Sequence, residues 1–138
     1  MFSHIFIGIS DFERALRFYR PLLEQGLDLN LRFSDPTRPW AGWQQNGIAR
    51  PLFLIGSPFD GHAPTPGNGP MTAFLAETRN MVDRCHALAL ANGGRNDGAP
   101  GLRPEYHEHY YGAYFRDPDG NKLCVACHHP GEFGRARC

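Results

Sequence analysis

The predicted elements come in the same order in both halves of the chain. Each half reads as a strand, a helix and then three strands, and a segment rich in proline and glycine separates the two halves. The halves share this pattern with little residue identity, so the repeat is one of structure more than of sequence. The order predicts an α+β protein built from two tandem β-α-β-β-β modules.

Residue alternation and a helix cap define the first half. Ile5 and Ile7 fall on one face of a strand at 1–9, whereas His4 and Phe6 fall on the other. A Ser-Asp pair offers the N-cap of an amphipathic helix that we expect to end near Gly26. Three short strands, each bounded by Pro, Gly or Asn, are then predicted at 27–34, 41–45 and 51–55.

The second half follows a loop and repeats the order. We expect a strand at 71–76, a helix at 79–92, a weaker strand at 98–103, and a final strand pair at 111–116 and 122–128. The whole is predicted to be a single domain at 1–129, with module one at 1–56, a linker at 57–70 and module two at 71–129. The tail at 130–138 has no apolar period and is expected to be frayed.

The length and the charge of the chain limit the kinds of molecule that we expect it to bind. A chain of 138 residues suits one domain with a sizeable core. Lysine plus arginine equals aspartate plus glutamate at 14 each, so the basic field typical of nucleic-acid binding is missing. No leader-like or membrane-spanning apolar run is visible, which favours a cytoplasmic protein with no membrane partner. A small-molecule ligand or substrate is the expected partner.

The last predicted strand ends in a Cys-x-x-Cys-His motif formed by Cys124, Cys127 and His128. Such a motif is typical of c-type haem attachment or of half a zinc site. A strand, however, turns the two cysteines to opposite faces, because residues three apart differ in parity. The hairpin pattern therefore argues against both interpretations.

Three segments together indicate a known family. They are His-Ile-Phe-Ile-Gly-Ile-Ser-Asp-Phe-Glu-Arg-Ala-Leu-Arg-Phe-Tyr at 4–19, Gly-Asn-Gly-Pro-Met-Thr-Ala-Phe at 67–74 and Gly-Ala-Tyr-Phe-Arg-Asp-Pro-Asp-Gly-Asn at 112–121. With these segments in order, residues 1–128 resemble the vicinal oxygen chelate superfamily, which includes glyoxalase I, extradiol dioxygenases and bleomycin- and fosfomycin-resistance proteins. The resemblance implies that the modules form a curved mixed sheet around a funnel-like cavity, usually in a homodimer.

The resemblance also implies a metal site, with departures from the usual ligands. His4 matches the first histidine ligand, Met71 stands where a second histidine is usual, and Cys124 stands where a carboxylate is expected. Strand parity turns all three side chains toward the funnel. This altered set leaves three alternatives open: one divalent Fe, Mn, Ni or Zn ion, a soft Cu(I) site, or Met71 and Cys124 as apolar pocket lining.

A loop rich in tyrosine and histidine supplies further candidates. His107 and His109 are predicted to act as catalytic acid or base, because imidazoles titrate near neutral pH. The predicted substrate pocket combines apolar walls with hydroxyl donors. Its residues are Met71, Phe6, Trp43, Tyr106, Tyr110 and Tyr111.

Three functions are compatible with these candidates. The leading one is a glyoxalase-like enzyme, a lyase or isomerase that acts on a small oxygenated metabolite with or without a metal. The second is a non-catalytic protein that sequesters a small molecule, as bleomycin-resistance proteins do. The third, a ring-cleaving dioxygenase, requires the iron ligand set from which this sequence departs most.

Overall fold

Two four-stranded mixed sheets and two helices make up the fold. The computed structural model describes residues 1–131. The elements of the first half are β1 (His4–Gly8), α1 (Phe12–Arg20) with a π-helical segment (Pro21–Gly26), β2 (Asn30–Asp35), β3 (Trp40–Gln44) and β4 (Leu52–Gly56). Those of the second half are β5 (Thr72–Leu75), α2 (Arg79–Ala91), β6 (Arg95–Leu102), β7 (Tyr111–Arg116) and β8 (Lys122–Cys127).

The two sheets have the same topology. The strand order is β1-β4-β3-β2 in the first and β5-β8-β7-β6 in the second. In each sheet the edge strand, β1 or β5, runs parallel to its neighbour, and the other pairs are antiparallel. The fold is therefore the predicted α+β arrangement of two tandem β-α-β-β-β modules. Within residues 1–131, no helix has the length and apolar character needed to cross a membrane.

Both modules contribute to one core. The Tyr19 ring of α1 lies 5.5 Å from the Phe53 ring of the first sheet. The neighbouring ring of Phe18 lies 6.3 Å from Phe115 of the second sheet. The inward-facing residues of both sheets and both helices join in a single buried cluster. Each sheet thus turns one face toward the helices and leaves its other face outside the shared core.

The strand alternation decides which residues face the core. Ile5 and Ile7 pack against the buried cluster, whereas Phe6 on the opposite face of β1 is exposed. On β8, Leu123 and Val125 belong to the cluster, and Cys124 between them does not. The outer face of the first sheet therefore carries the His4 side chain, and the outer face of the second carries Cys124.

The Asp-Pro-Asp-Gly-Asn turn joins the two modules. The buried carboxylate of Asp117 accepts hydrogen bonds from the Tyr19 hydroxyl at 2.6 Å and from the Asn121 side-chain amide at 2.8 Å. That amide also donates to the Gly8 carbonyl at the end of β1, at 3.0 Å. Burial and the Asp117 charge raise the pKa of Tyr19 well above its ordinary value, so its hydroxyl keeps its proton and remains a donor.

Several element boundaries differ from the sequence-based expectation; β1 and β2, for example, start at His4 and Asn30, each three residues after the predicted start. The first helix is α-helical only to Arg20, because Pro21 has no N–H to continue the ladder, and a π-helical segment carries the chain to Gly26. The strand β6 begins at Arg95, three residues before the predicted start, with register shifts that accommodate its glycines. Most of the predicted tail, residues 132–138, lies outside the described residues.

Glu24 gives the first module an acid-sensitive contact. Burial opposes its ionisation, but hydrogen bonds from Arg20 at 2.9 Å and from the Trp43 indole at 3.0 Å prevail and lower its pKa below the ordinary 4.5. A carboxyl group with a depressed folded-state pKa stabilises the fold above its unfolded-state pKa, and this stabilisation is lost as the pH falls through the folded-state value.

We therefore expect Glu24→Gln to reduce the free energy of unfolding near neutral pH, with the difference from wild type shrinking on acidification. Chemical denaturation at about pH 7 and about pH 3 measures this difference, since the stabilisation declines as the pH falls below the unfolded-state pKa. Glu13→Gln, an exposed carboxylate on α1, is the matched control. A difference that stays constant across the pH range would contradict the assigned role.

Candidate functional site

The outer face of the second sheet holds a cavity walled by tyrosines. The cavity measures about 500 Å³ and lies between this sheet and the end of the linker. It is lined by Asn68, Gly69, Pro70, Met71, Tyr106, Tyr110, Tyr114, Arg116 and Lys122. Of the predicted pocket residues, Met71, Tyr106 and Tyr110 meet here. We call this space the tyrosine cavity.

Hydroxyl groups form a short network in the wall of the tyrosine cavity. The Tyr110 hydroxyl lies 2.9 Å from that of Tyr114 and 3.5 Å from the sulfur of Cys124. Burial and these polar neighbours raise the pKa of Tyr110 far above its ordinary value. Burial raises the pKa of Tyr114 as well. Both phenols therefore stay protonated at neutral pH and can donate hydrogen bonds to a ligand oxygen.

Cations dominate the charge around the tyrosine cavity. Arg116 and Lys122 line it, and the carboxylate of Asp97 lies 3.0 Å from the first and 3.7 Å from the second. The guanidinium of Arg103 sits over the Tyr114 ring at 5.5 Å, and the Lys122 ammonium sits at 5.6 Å from the same ring. Among the described residues that line the cavity none is acidic. The local field therefore favours an anionic ligand.

Cys124 lies behind the tyrosine wall. Its side chain is fully buried, and the Tyr110 hydroxyl covers the sulfur. Burial raises the pKa of the Cys124 thiol, although hydrogen bonds from Tyr110 and Tyr114 partly offset the increase. The group is therefore a neutral thiol at neutral pH, whereas a metal ligand or nucleophile must be the thiolate.

His4 faces a different cavity. The outer face of the first sheet and the linker enclose about 900 Å³ lined by His4, Phe6, Trp40 and Leu54, among others. The imidazole Nδ1 of His4 lies 2.9 Å from the Ser3 hydroxyl. Met71 lines the tyrosine cavity instead, and Cys124 lines neither. The expectation that His4, Met71 and Cys124 point at one cavity does not hold within a single chain.

These donors do not fit a divalent metal ion in one chain. Within residues 1–131, no three or more His, Cys, Asp or Glu side chains come together in a way that could hold a metal. His4 and Met71 lie on separate cavities, and the protonated thiol of Cys124 is covered by Tyr110. The chemistry available in the tyrosine cavity is therefore that of hydroxyl donors and fixed cations.

The predicted catalytic histidines lie outside the cavity lining. His107 Nδ1 accepts a hydrogen bond from the His109 backbone N–H, so its Nε2 carries the proton and donates to His128 Nδ1 at 2.9 Å. His109 itself lies 3.3 Å from the exposed carboxylate of Glu108. The His107 ring packs edge-on against Tyr110 with centroids 5.7 Å apart. His107 therefore supports the back of Tyr110, and neither His107 nor His109 lines the cavity.

Three other predicted pocket residues lie elsewhere. Trp43 is buried in the shared core, with its indole N–H donating to Glu24. Tyr111 packs against the core, and its hydroxyl donates to Asp83 at 2.6 Å. Burial and this hydrogen bond raise the pKa of Tyr111 to about 12. Phe6 lines the cavity of His4.

Sequence reasoning missed three lining residues that strand parity could have found. Ala113 and Phe115 of β7 face the core, so Tyr114 and Arg116 must face outward. The hairpin register then places Tyr114 opposite Cys124 and Arg116 opposite Lys122. An outward row of one tyrosine and two cations was therefore readable from the final strand pair.

Known proteins with a similar sequence or structure share this fold. A family model, Glyoxalase/Bleomycin resistance protein/Dioxygenase superfamily, matches residues 1–125. A glyoxalase/bleomycin resistance protein from Albidiferax ferrireducens T118 has 34% sequence identity and a TM-score of 0.81, covering 92% of this chain and 98% of its own. A lactoylglutathione lyase from Agrobacterium tumefaciens has 20% identity and a TM-score of 0.63, covering 92% of both chains. A comparison with curated proteins finds no match.

Proposed function

This chain belongs to the glyoxalase/bleomycin resistance protein/dioxygenase superfamily, and we propose that it binds a small oxygenated anion in the tyrosine cavity without a metal ion. The observation that carries the proposal is the lining itself, in which Arg116 and Lys122 stand beside protonated tyrosine hydroxyls. Cations fix a carboxylate or phosphate group, the hydroxyls bind further oxygens, and the aromatic rings cover a planar body.

A non-catalytic binding protein fits these contacts best. Sequestration requires only a cavity with apolar walls and a few placed polar groups, which the tyrosine cavity supplies. Catalysis on a carbon beside a carbonyl also requires a proton acceptor within hydrogen-bond reach of the substrate. The described residues that line the cavity include no carboxylate and no imidazole.

An enzyme of the lyase or isomerase type is the second candidate, and the protonated hydroxyls of Tyr110 and Tyr114 favour it. Such donors stabilise the negative oxygen of an enediolate when they point at it before the reaction begins. Because none of the described lining residues is a base, we propose that a second chain provides it. The outer face of the first sheet, with His4, is the surface that could provide it.

We propose further that the working form is a cytoplasmic homodimer in which the His4 face of one copy covers the tyrosine cavity of the other. The two outer faces of one chain are open because the helices fill the space between the sheets. Light scattering is then expected to give twice the mass of the chain. A monomer at micromolar concentration would contradict this arrangement.

Lys122 provides a direct test of ligand binding because it is the only lysine in the chain. Reductive methylation with ¹³C-formaldehyde keeps the charge of Lys122 and gives one side-chain NMR signal in the cavity. The amino terminus is also methylated and gives a separate signal. We expect benzoate to shift this signal and the matched neutral compound benzamide to leave it unchanged. Treatment of the protein with a chelator should not change its affinity for benzoate. If no member of a panel of small carboxylates and phosphates shifts the signal, the proposal fails.

A further inference from the structure

A third cavity lies at the seam between the modules, on the core side of the sheets. It measures about 430 Å³ and is separate from the tyrosine cavity, since no described residue lines both. We call it the seam cavity. It is lined by Phe2, Ile5, Leu27, Asp28, Leu29, Trp43, Gln44, Gln45, Pro51, Leu52, Phe53, Thr72, Ala73, Phe74, Leu75, Glu77 and Met81.

The walls of the seam cavity are apolar and come from both modules. Phe53 of the first module and Phe74 of the second meet edge to face with centroids 5.0 Å apart. The indole N–H of Trp43 is already bonded to Glu24, so this residue presents no unsatisfied donor. At the rim, Phe2 is 58% exposed and Leu75 is 67% exposed. The apolar surface thus continues from the interior to solvent, which is typical of a binding surface.

The charge of the seam cavity is opposite to that of the tyrosine cavity. Among the described residues that line it, the only charged ones are Asp28 and Glu77, both exposed. Within residues 1–131, neither carboxylate forms a side-chain hydrogen bond or an ion pair. A ligand cation at the rim would therefore find carboxylates that have no competing partner in this part of the chain, and the phenyl ring of Phe2 adds a surface that attracts cations.

We propose that the seam cavity binds a small organic cation with an apolar body, such as a primary or quaternary ammonium on a short aliphatic or aromatic group. The apolar body would lie against Phe53, Phe74 and Met81, and the ammonium would lie at the rim beside Asp28 and Glu77. The proposal is independent of anion binding in the tyrosine cavity, because the two sites differ in lining residues and in charge.

Trp43 serves as the reporter of this site. The chain has two tryptophans, so Trp40→Phe leaves Trp43 as the source of all indole fluorescence. Hexylammonium, hexanoate and 1-hexanol share one apolar chain and differ in charge. We expect hexylammonium to change the emission saturably and to bind at least about tenfold more tightly than hexanoate, a difference of about 1.4 kcal/mol. Failure of all three compounds to bind would refute the proposal.

Removing the rim charges tests the contribution of the carboxylates. In this background, Asp28→Asn with Glu77→Gln is expected to bring hexylammonium to within about twofold of 1-hexanol, because only the shared apolar contact remains. Asparagine tolerates the positive φ of 56° at Asp28, so the fold is preserved. Glu13→Gln with Glu105→Gln removes two exposed carboxylates elsewhere and should leave the preference for the cation intact.

The remaining outcomes also decide the proposal. Equal binding of hexylammonium and hexanoate, or a cation preference that survives in the Asp28/Glu77 variant, would overturn it. A second copy of the chain is the other conceivable occupant. If Leu75→Glu converts a dimer to a monomer and the wild type binds none of the probes, that copy covers the seam cavity and the proposal is wrong.

Discussion

Replacement of Asp117 by alanine is expected to lower the free energy of unfolding by about 3–5 kcal/mol, because it leaves several buried donors without a partner. The carboxylate is 3% exposed. One oxygen accepts from the backbone N–H groups of Asp119 and Asn121, each at 2.9 Å. The other accepts from the Tyr19 hydroxyl and the Asn121 side-chain amide. These contacts join the turn of the second module to α1 and, through Asn121, to β1 of the first.

Denaturant unfolding of Asp117→Ala and Asp60→Ala measures this loss against a matched control. Asp60 is exposed and accepts one local hydrogen bond from the His62 backbone. Its removal is expected to cost less than about 1 kcal/mol. Asp117→Asn should also destabilise the fold, since an amide places N–H donors against donors that need an acceptor. If both alanine variants unfold at similar denaturant concentrations, the Asp117 contacts between the modules do not contribute to the free energy of unfolding as we infer.

Reversal of charge at Lys122 is expected to reduce the affinity for a small carboxylate at least about thirtyfold, since loss of a partner in a charged contact costs about 2–5 kcal/mol. Lys122 lines the tyrosine cavity and lies 3.7 Å from Asp97. In Lys122→Glu the new carboxylate would repel both the ligand and Asp97. Titration calorimetry with the strongest-binding member of the carboxylate panel gives the affinity directly.

Two further variants separate local charge from net charge. Lys122→Arg keeps the positive charge and should retain affinity within about fivefold, because both a guanidinium and an ammonium pair with a carboxylate. Arg50→Glu makes the same charge change at an exposed residue that does not line the tyrosine cavity. If Arg50→Glu weakens binding as much as Lys122→Glu does, the effect is one of overall field, and the assignment of the anion to this cavity fails.

The order of elements and the facing of the strands were accessible from sequence because both depend on local pattern. Alternation placed Ile5 and Ile7 on the strand face opposite His4, and both pack against the shared core. Capping residues and glycines marked the helices and the final hairpin. The change from α-helix to π-helix after Arg20 was missed because Leu22, Leu23 and Gly26 are buried in the π-helical segment, so the apolar pattern continues past Arg20.

The residues that line each cavity could not be predicted from the sequence. Alternation along a strand shows which residues share a face, but it does not show what packs against that face. Trp40 and Trp43 stand three residues apart in one strand and so face opposite sides. Their sequence environment does not tell which one is buried. Likewise, Tyr110 lines the cavity and the adjacent Tyr111 packs on the core. The helices of both modules occupy the space between the sheets and separate His4 from Met71. This separation depends on tertiary packing, so local sequence patterns do not predict it.

The placement of the helices between the sheets also bears on how this protein can diversify. The contacts that hold the modules together lie inward, whereas the residues that line the His4 and tyrosine cavities lie outward. Substitutions in the outward rows are therefore expected to change the ligand preference with little effect on folding. Libraries that vary Met71, Tyr106, Tyr114 and Lys122 should consequently yield a high fraction of folded variants with altered ligand preference.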